Sequence, residues 1–278
     1  MVNKFDQSRI NCVGFDVDGT LYRKDVEYIP DHGSIQDSHD FFRFSAYERL
    51  KQGQSPEQIS QELVALYKAA IQEGTLKTFI DSVPDGLKSE LGELIPRHRS
   101  SNARVMMDLF GTSSTFLHEM LSSIDFDFIL AADPKLRQLI ERLKDSGYKL
   151  GILTTEVYDT VQKVLRILGL DITDFHINTG HQIPILTTEN VKEKKPSAEG
   201  FERLVKGFGA SSPNNVVYVG DHIVKDIEGS IRCGLQSIHV LNRDDGEDFD
   251  FDNMDIEGDS VEYARARTIY DVEKVLRT

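Results

Sequence analysis

A short apolar run that ends in two closely spaced carboxylates is the strongest constraint on the fold of this chain. The run from Cys12 to Phe15 leads directly into Asp16, Asp18 and Gly19. This pattern predicts a buried strand that ends in a tight turn. In open α/β sheets, ligands gather at the carboxyl ends of the strands. Two carboxylates this close repel each other unless a cation or a proton relieves them, so the segment predicts a metal site with a carboxylate nucleophile.

Short apolar runs alternate with amphipathic stretches from about residue 126 to residue 241. The alternation predicts a parallel sheet with right-handed crossovers, which is an α/β, Rossmann-like core. The predicted strands are 11–16, 148–153, 175–177, 215–219 and 237–241, and the predicted helices are 135–144, 157–168, 197–207 and 224–233.

The stretch from residue 23 to residue 125 has a different pattern. Residues 23–35 are polar and are predicted to form a loop, and residues 36–123 have a helical pattern with no convincing strand. Ser55 suits a helix N-cap and Pro56 the first helical position. Since the first strand has no crossover helix of its own nearby, this stretch is interpreted as an inserted, all-helical cap domain. The sequence therefore predicts a core of residues 1–22 and 126–278 and a cap of residues 23–125. Residues 242–259 are rich in Asp and Glu and are expected to form a solvated loop, followed by a short closing helix.

Composition excludes several classes of protein. The chain has 278 residues and a formal net charge of −14, which disfavours nucleic acid as a partner. No apolar run is long enough to span a membrane, and the first residues lack the apolar stretch of a signal peptide, so a cytoplasmic protein is expected. The two cysteines, Cys12 and Cys233, lie in apolar stretches and are expected to be buried thiols.

Three further polar segments follow or border the predicted strands. Thr154 ends one strand, Lys195 precedes Pro196 before a helix, and Asp221 follows Gly220, with Asp226 five residues later. Together with Asp-x-Asp-Gly-Thr at the first strand, the order and spacing resemble the four motifs of the haloacid dehalogenase superfamily of phosphotransferases. The resemblance covers residues 11–22 and 126–241, and the inserted block matches the family's helical cap in position.

The resemblance implies a phosphatase that forms an aspartyl-phosphate intermediate. Asp16 matches the nucleophile, and Asp18 matches the general acid that protonates the leaving oxygen and then activates water. Thr154, with its neighbour Thr155, and Lys195 match the groups that bind the phosphoryl oxygens.

The resemblance also implies Mg²⁺ as the cofactor. Asp16, the main-chain carbonyl of Asp18 and Asp221 match its ligands. Asp226 matches an outer partner that orients waters or Lys195. The expected substrate is a small phosphate ester, such as a nucleotide or a sugar phosphate, selected by the cap.

Several alternatives remain open from the sequence. A phosphomutase or phosphotransferase of the same superfamily, or a catalytically silent regulatory protein on the same fold, fits the pattern, although Asp16, Lys195 and Asp221 are all retained. In the cap, four basic residues either contact a remote anionic group of the substrate or form a solvated face, which the sequence favours. They are Arg97, His98, Arg99 and Arg104. His222 is expected to cap the helix that follows it rather than to act in catalysis.

Overall fold

The computed structural model describes residues 4–30, 32–97, 102–113, 115–175, 185–243 and 251–277. The chain divides into two compact units. The first, the core unit, comprises Met1–Arg23 and Ala132–Thr278, and the second, the cap unit, comprises Lys24–Ala131. No helix among these described ranges is both long and apolar enough to cross a membrane.

The core unit is built on one six-stranded sheet with the order β2-β1-β3-β4-β6-β5. Neighbouring strands are parallel except β5 and β6, which are antiparallel. Every residue of the central strands β1 and β3 is buried, as expected for a sheet covered on both faces. This arrangement confirms the predicted α/β class. The strands are β1 Cys12–Phe15, β2 Lys149–Ile152, β3 Val216–Gly220, β4 Gln236–Val240, β5 Phe251–Ile256 and β6 Asp259–Ala266.

The described part of the cap unit is helical. Its helices are α1 Ile35–Lys51, α2 Pro56–Gln72, α3 Leu76–Ser82, α4 Asp85–Arg97, α5 Asn102–Phe110 and α6 Phe116–Leu121. The Ser55 hydroxyl accepts a hydrogen bond from the main-chain N–H of Gln58, which fixes the start of α2. The cap interior is aromatic, since the rings of Phe41 and Phe42 on α1 pack against Tyr67 on α2.

In the described part of the core unit, the α-helices that accompany the sheet are α7 Pro134–Asp145, α8 Tyr158–Ile167, α9 Ala198–Phe208, α10 Gly229–Arg232 and α11 Val272–Arg277. Helix α9 lies very close to the sheet because two strand residues have no side chain. A Cβ on Gly14 of β1 would lie 2.4 Å from Leu204, and one on Gly151 of β2 would lie 2.8 Å from Phe208. This close approach packs the middle and the end of α9 directly on β1 and β2.

The structure corrects the sequence analysis in the acidic segment. Residues 251–256 and 259–266 form the hairpin β5–β6, where a solvated loop was predicted up to residue 259; residues 244–250 lie outside the described residues. Charged side chains are common on edge strands because they prevent pairing with another chain. The acidic residues therefore mark an exposed edge strand, while Val261 and Tyr263 of β6 are buried.

The predicted strand at 175–177 is wrong at its first residue, and residues 176 and 177 lie outside the described residues. Phe175 ends a 3-10 helix that begins at Ile172. Asp171 stabilises this turn by accepting hydrogen bonds from the main-chain N–H and the hydroxyl of Thr173. Local side-chain bonds of this kind compete with strand pairing.

Candidate active site

Three carboxylates meet beyond the carboxyl ends of β1 and β3. Asp16 directly follows β1, and Asp221 directly follows β3. The two strands are parallel neighbours with Phe15 opposite Val219, so they end at the same edge of the sheet. One oxygen each of Asp16, Asp221 and Asp226 lies within 4.8 Å of the others, and we call these three residues the carboxylate cluster.

A π-helical turn carries Asp226 into this cluster. Residues Ile223–Glu228 form this turn, where an ordinary α-helix was predicted from residue 224. His222 caps the turn, because its Nδ1 accepts hydrogen bonds from the main-chain N–H groups of Val224 and Lys225. A single turn of π-helix is frequent at functional sites. Here it lets Asp226, five residues after Asp221, point back towards the strand end.

Gly220 leaves the space that the Asp226 carboxyl group occupies. A Cβ at Gly220 would lie 2.4 Å from the Asp226 Cβ and 2.5 Å from its Cγ, both far closer than van der Waals contact. The main-chain N–H of His222 donates to Asp226 Oδ2 at 3.0 Å. The glycine before Asp221 is therefore required for the position of Asp226.

Lys195 forms ion pairs with two carboxylates of the cluster, those of Asp16 and Asp226. Its ammonium nitrogen donates to Asp226 Oδ1 at 2.6 Å and to the Tyr218 hydroxyl at 3.0 Å, and it lies 2.9 Å from Asp16 Oδ1. Its side chain is only 3% exposed. A buried ammonium group is stable only when it is paired in this way. Lys195, rather than its neighbour Lys194, therefore occupies the position that the sequence predicted.

The electrostatics of these buried groups are unusual. Burial raises the pKa of Asp16 to about 7 against the opposing charge of Lys195, and the carboxylates of Asp226 and Asp221 add to the rise. Burial alone would lower the pKa of Lys195, but Asp16 and Asp226 raise it above its usual value. Lys195 is thus held as a cation, while Asp16 needs more positive charge nearby to remain ionised.

The cluster fits a hard divalent cation. Asp16 Oδ1 is buried and has no well-aligned hydrogen-bond donor within the described part of the chain, although Lys195 is close. Among the described residues, the Lys195 ammonium group pairs with two of the three carboxylates, those of Asp16 and Asp226. Carboxylate oxygens are the ligands that Mg²⁺ takes in proteins. Asp226, which was expected to act only from outside, has an oxygen in the same group of potential ligands.

The other predicted residues lie on the adjoining turns. Asp18 was expected to offer its main-chain carbonyl to the metal; its side-chain Oδ1 accepts a hydrogen bond from the Tyr22 hydroxyl at 2.6 Å. Thr154 follows β2 and is buried, and its hydroxyl oxygen accepts from the main-chain N–H of Glu156. Thr155 beside it is partly exposed.

Sequence reasoning missed several residues that contact these turns. His239 on β4 has its Nε2 3.0 Å from the Asp221 carbonyl oxygen; since a carbonyl only accepts, Nε2 is the donor. Burial lowers the pKa of His239, which favours the neutral ring. Asn242 donates from its amide to the Gly19 carbonyl at 2.6 Å. These contacts join residues far apart in the chain, so no local pattern in the sequence could indicate them.

In the cap unit, the structure describes two of the four basic residues. Arg97 is exposed at the end of α4. Arg104 on α5 pairs with Asp108 one turn later at 2.8 Å. His98 and Arg99 lie outside the described residues. The described pair therefore provides no group of converging cations.

Comparison with known proteins places the chain in a family. A family model described as haloacid dehalogenase-like hydrolase matches residues 10–234. The pyrophosphatase PpaX of Bacillus pumilus is 27% identical over 243 residues, which cover 87% of this chain and 88% of that protein. The glyceraldehyde 3-phosphate phosphatase of Methanopyrus kandleri is 29% identical over 129 residues, and this match spans 43% of this chain and 52% of that protein.

A solved structure has the same fold. The HAD phosphatase from Thermococcus onnurineus superimposes with a TM-score of 0.52 at 20% sequence identity, over 96% of this chain and 98% of that one. Because the family model covers well over half of the chain, the chain belongs to the haloacid dehalogenase-like hydrolase family. It is an enzyme of the phosphatase type within that family, which confirms the family and the enzyme class predicted from the four motifs.

Proposed function

We propose that this enzyme is a Mg²⁺-dependent phosphomonoesterase that hydrolyses a small phosphorylated metabolite through an aspartyl-phosphate intermediate on Asp16. The observation that carries the proposal is the carboxylate cluster, in which Asp16 and Asp226 are buried and Asp221 is partly buried, with Lys195 between Asp16 and Asp226. Buried charges of both signs at strand ends are costly for stability, and strongly shifted pKa values concentrate at catalytic sites. This arrangement favours a catalytic over a silent regulatory protein.

Asp16 is the nucleophile of the proposed reaction. One of its carboxylate oxygens attacks phosphorus, and the bond between phosphorus and the leaving oxygen breaks. Asp18 gives its proton to that oxygen as it leaves. Asp18 then takes a proton from water, whose oxygen attacks phosphorus and releases inorganic phosphate and the Asp16 carboxylate. The two carboxylates thus divide the work, since Asp16 attacks while Asp18 only transfers protons.

Lys195 and Thr154 stabilise the negative charge on the phosphoryl group while it is transferred. The fixed Lys195 ammonium group neutralises negative charge on the phosphoryl oxygens, and the Thr154 hydroxyl can donate a hydrogen bond to them. Asp16, Asp221, Asp226 and the main-chain carbonyl of Asp18 would hold Mg²⁺. When bound, the ion supplies further charge neutralisation for the phosphoryl group and favours the ionised form of Asp16.

The substrate class rests on the relatives. The named substrates of two relatives, pyrophosphate for PpaX and glyceraldehyde 3-phosphate for the archaeal phosphatase, are small phosphate compounds. Of these two, the pyrophosphatase matches over 87% of this chain, so inorganic pyrophosphate belongs in the first panel of substrates together with nucleotides and sugar phosphates.

The test is a phosphatase assay with a generic aryl phosphate and with this panel. Activity is expected with Mg²⁺, is expected to vanish in excess chelator, and should return when Mg²⁺ is added back. Full activity in chelator would contradict the metal assignment. Release of a transferred product without inorganic phosphate would favour a mutase or phosphotransferase.

A further inference from the structure

Tyr218 lies in the middle of β3 and has a hydroxyl group that is buried with the rest of its side chain. Its ring packs edge-on against Phe201, with the ring centroids 5.1 Å apart. Gly14 of β1 lies opposite it in the sheet register, and the absence of a side chain there leaves room for the ring. A phenylalanine would satisfy this packing equally well, so the hydroxyl group requires its own explanation.

The Tyr218 hydroxyl makes two hydrogen bonds, one as a donor and one as an acceptor. It donates to the main-chain carbonyl of Leu153 at 2.5 Å, and it accepts a hydrogen bond from Lys195 Nζ at 3.0 Å. Because its one proton is committed to the carbonyl, the oxygen presents lone pairs to Lys195. Leu153 is the residue directly before Thr154. One hydroxyl group therefore ties Lys195 to the chain that carries Thr154.

We propose that Tyr218 is a positioning residue for Lys195, holding its ammonium group at a fixed distance from Asp16 and from the end of β2. The inference rests on the proposed phosphatase function. An ammonium group has three N–H donors. In the structure its nitrogen has three close oxygen neighbours, which are Asp226 Oδ1, the Tyr218 hydroxyl and Asp16 Oδ1. Without the Tyr218 oxygen, the ammonium group on this flexible four-carbon side chain would be left with two of these three neighbours, both of them carboxylate oxygens.

The consequence for catalysis follows from the role of Lys195. A preorganised cation stabilises the charge of the transition state without reorganising, whereas a mobile one must first be ordered. Tyr218→Phe should therefore lower kcat by about tenfold to a hundredfold, with a smaller change in KM, because small misplacements of catalytic groups have effects of that size. The loss should be the same for aryl phosphates with good and poor leaving groups, since Lys195 does not protonate the leaving oxygen.

The matched control is Tyr148→Phe. The Tyr148 hydroxyl also donates to a main-chain carbonyl of the core unit, that of Leu276 at 3.3 Å, but it contacts none of the carboxylates of the cluster. Both variants remove one hydroxyl, and only Tyr218→Phe is expected to lose kcat per folded molecule. A Tyr218→Phe enzyme that keeps wild-type kcat would overturn the proposal. If wild type and Tyr148→Phe are both inactive towards every phosphate tested, the proposed function fails instead.

A double-mutant cycle on stability tests the contact without using activity. If Tyr218 acts through Lys195, then Tyr218→Phe should shift the urea-unfolding midpoint much less in a Lys195→Met background than in wild type. Equal shifts in both backgrounds would overturn the proposal. Should Tyr218→Phe alone fail to fold, a folded Lys195→Met/Tyr218→Phe double variant supports the coupling, and failure of both assigns the hydroxyl a purely structural role.

Discussion

The core unit contains a buried cluster of charged side chains, whereas the interior of the described part of the cap unit is aromatic. In the core, Asp16, Lys195 and Asp226 are buried together, and their charges depend on one another. In the described part of the cap, ion pairs such as Lys51 with Glu90 lie at the surface and that of Arg43 with Asp40 is partly buried, while the interior is built from aromatic rings. Burying charge is costly unless it is paired, so a buried charged group signals function more strongly than an exposed one. The comparison therefore supports the proposal that the chemistry takes place in the core.

The largest expected effect tests this assignment directly. Asp16→Asn keeps nearly the same shape but removes the proposed nucleophile, so turnover should fall by about a thousandfold or more. The circular dichroism spectrum and the elution volume should match wild type. The measurement is release of inorganic phosphate from an aryl phosphate with Mg²⁺. Phosphate trapped covalently on another residue of rapidly quenched wild-type enzyme would contradict the role of Asp16.

Two glycines offer a sharper contrast between the units. Gly220→Ala would push a methyl group into Asp226, so we expect kcat to fall by about tenfold or more and the protein to be destabilised. Gly92 lies inside helix α4 of the cap, and nothing lies within 4 Å of the Cβ that a substitution would add. Gly92→Ala should stabilise the protein by about 0.5–1 kcal/mol and leave kcat unchanged.

These two variants are measured together, by steady-state kinetics and by urea unfolding. The comparison between the units would break if Gly220→Ala kept full activity, because Asp226 would then not depend on the space that Gly220 leaves. A large loss of kcat in Gly92→Ala would also contradict the comparison, because a substitution in the cap would then affect catalysis.

The sequence could predict local features of the site but not the contacts between distant segments. The strands before Asp16 and Asp221 are local features, and the turn chemistry of Gly19 and Gly220 marks their ends, so the strand ends could be placed from the sequence alone. The contacts of Lys195 with Tyr218 and of His239 with Asp221 join distant segments, and no periodicity indicates them. They became visible only once the sheet order was known.

The hairpin β5–β6 shows a different reason for failure. Its strands contain many acidic residues, and such a density of charge predicts a loop. Phe251 and Ile256 nevertheless lie on a strand whose alternate residues differ in exposure. Because an edge strand is exposed on one side, it tolerates charges that a central strand such as β3 does not. Charge alone therefore does not distinguish an exposed edge strand from a loop.

A smaller effect is expected for a buried ion pair that has no catalytic role. Asp174 in the core accepts hydrogen bonds from Arg137 and Lys144, and it is almost fully buried. Asp174→Asn should lower the free energy of unfolding by about 1–3 kcal/mol. In the cap, Asp108→Asn weakens the exposed ion pair with Arg104. It should lower the free energy of unfolding by only about 0.3–0.5 kcal/mol.

The dependence of stability on pH tests the contacts of Asp174 with Arg137 and Lys144 in a second way. Burial alone would raise the pKa of Asp174, but the hydrogen bonds and charges of Lys144 and Arg137 lower it below the usual 3.8. A carboxyl group with a lowered pKa in the folded state contributes stability above its unfolded pKa and loses it as the pH falls through the folded value. The stability difference between wild type and Asp174→Asn should therefore be constant above about pH 5 and shrink below about pH 4. A constant difference down to pH 2 would contradict this account.

The smallest expected effect concerns the basic residues of the cap. Arg104 is engaged by Asp108 and Arg97 is exposed, so Arg97→Ala and Arg104→Ala should change kcat/KM for a generic aryl phosphate by less than about twofold. For a physiological substrate identified in the panel, the same result is expected if these residues form a solvated face. If instead one of them binds a remote anionic group, its substitution should lower kcat/KM for that substrate alone. The expected loss of transition-state stabilisation is about 1–3 kcal/mol. That outcome would break the comparison, since exposed charge in the cap would then carry specificity. An equal loss for both substrates would show that the arginine supports the cap structure instead.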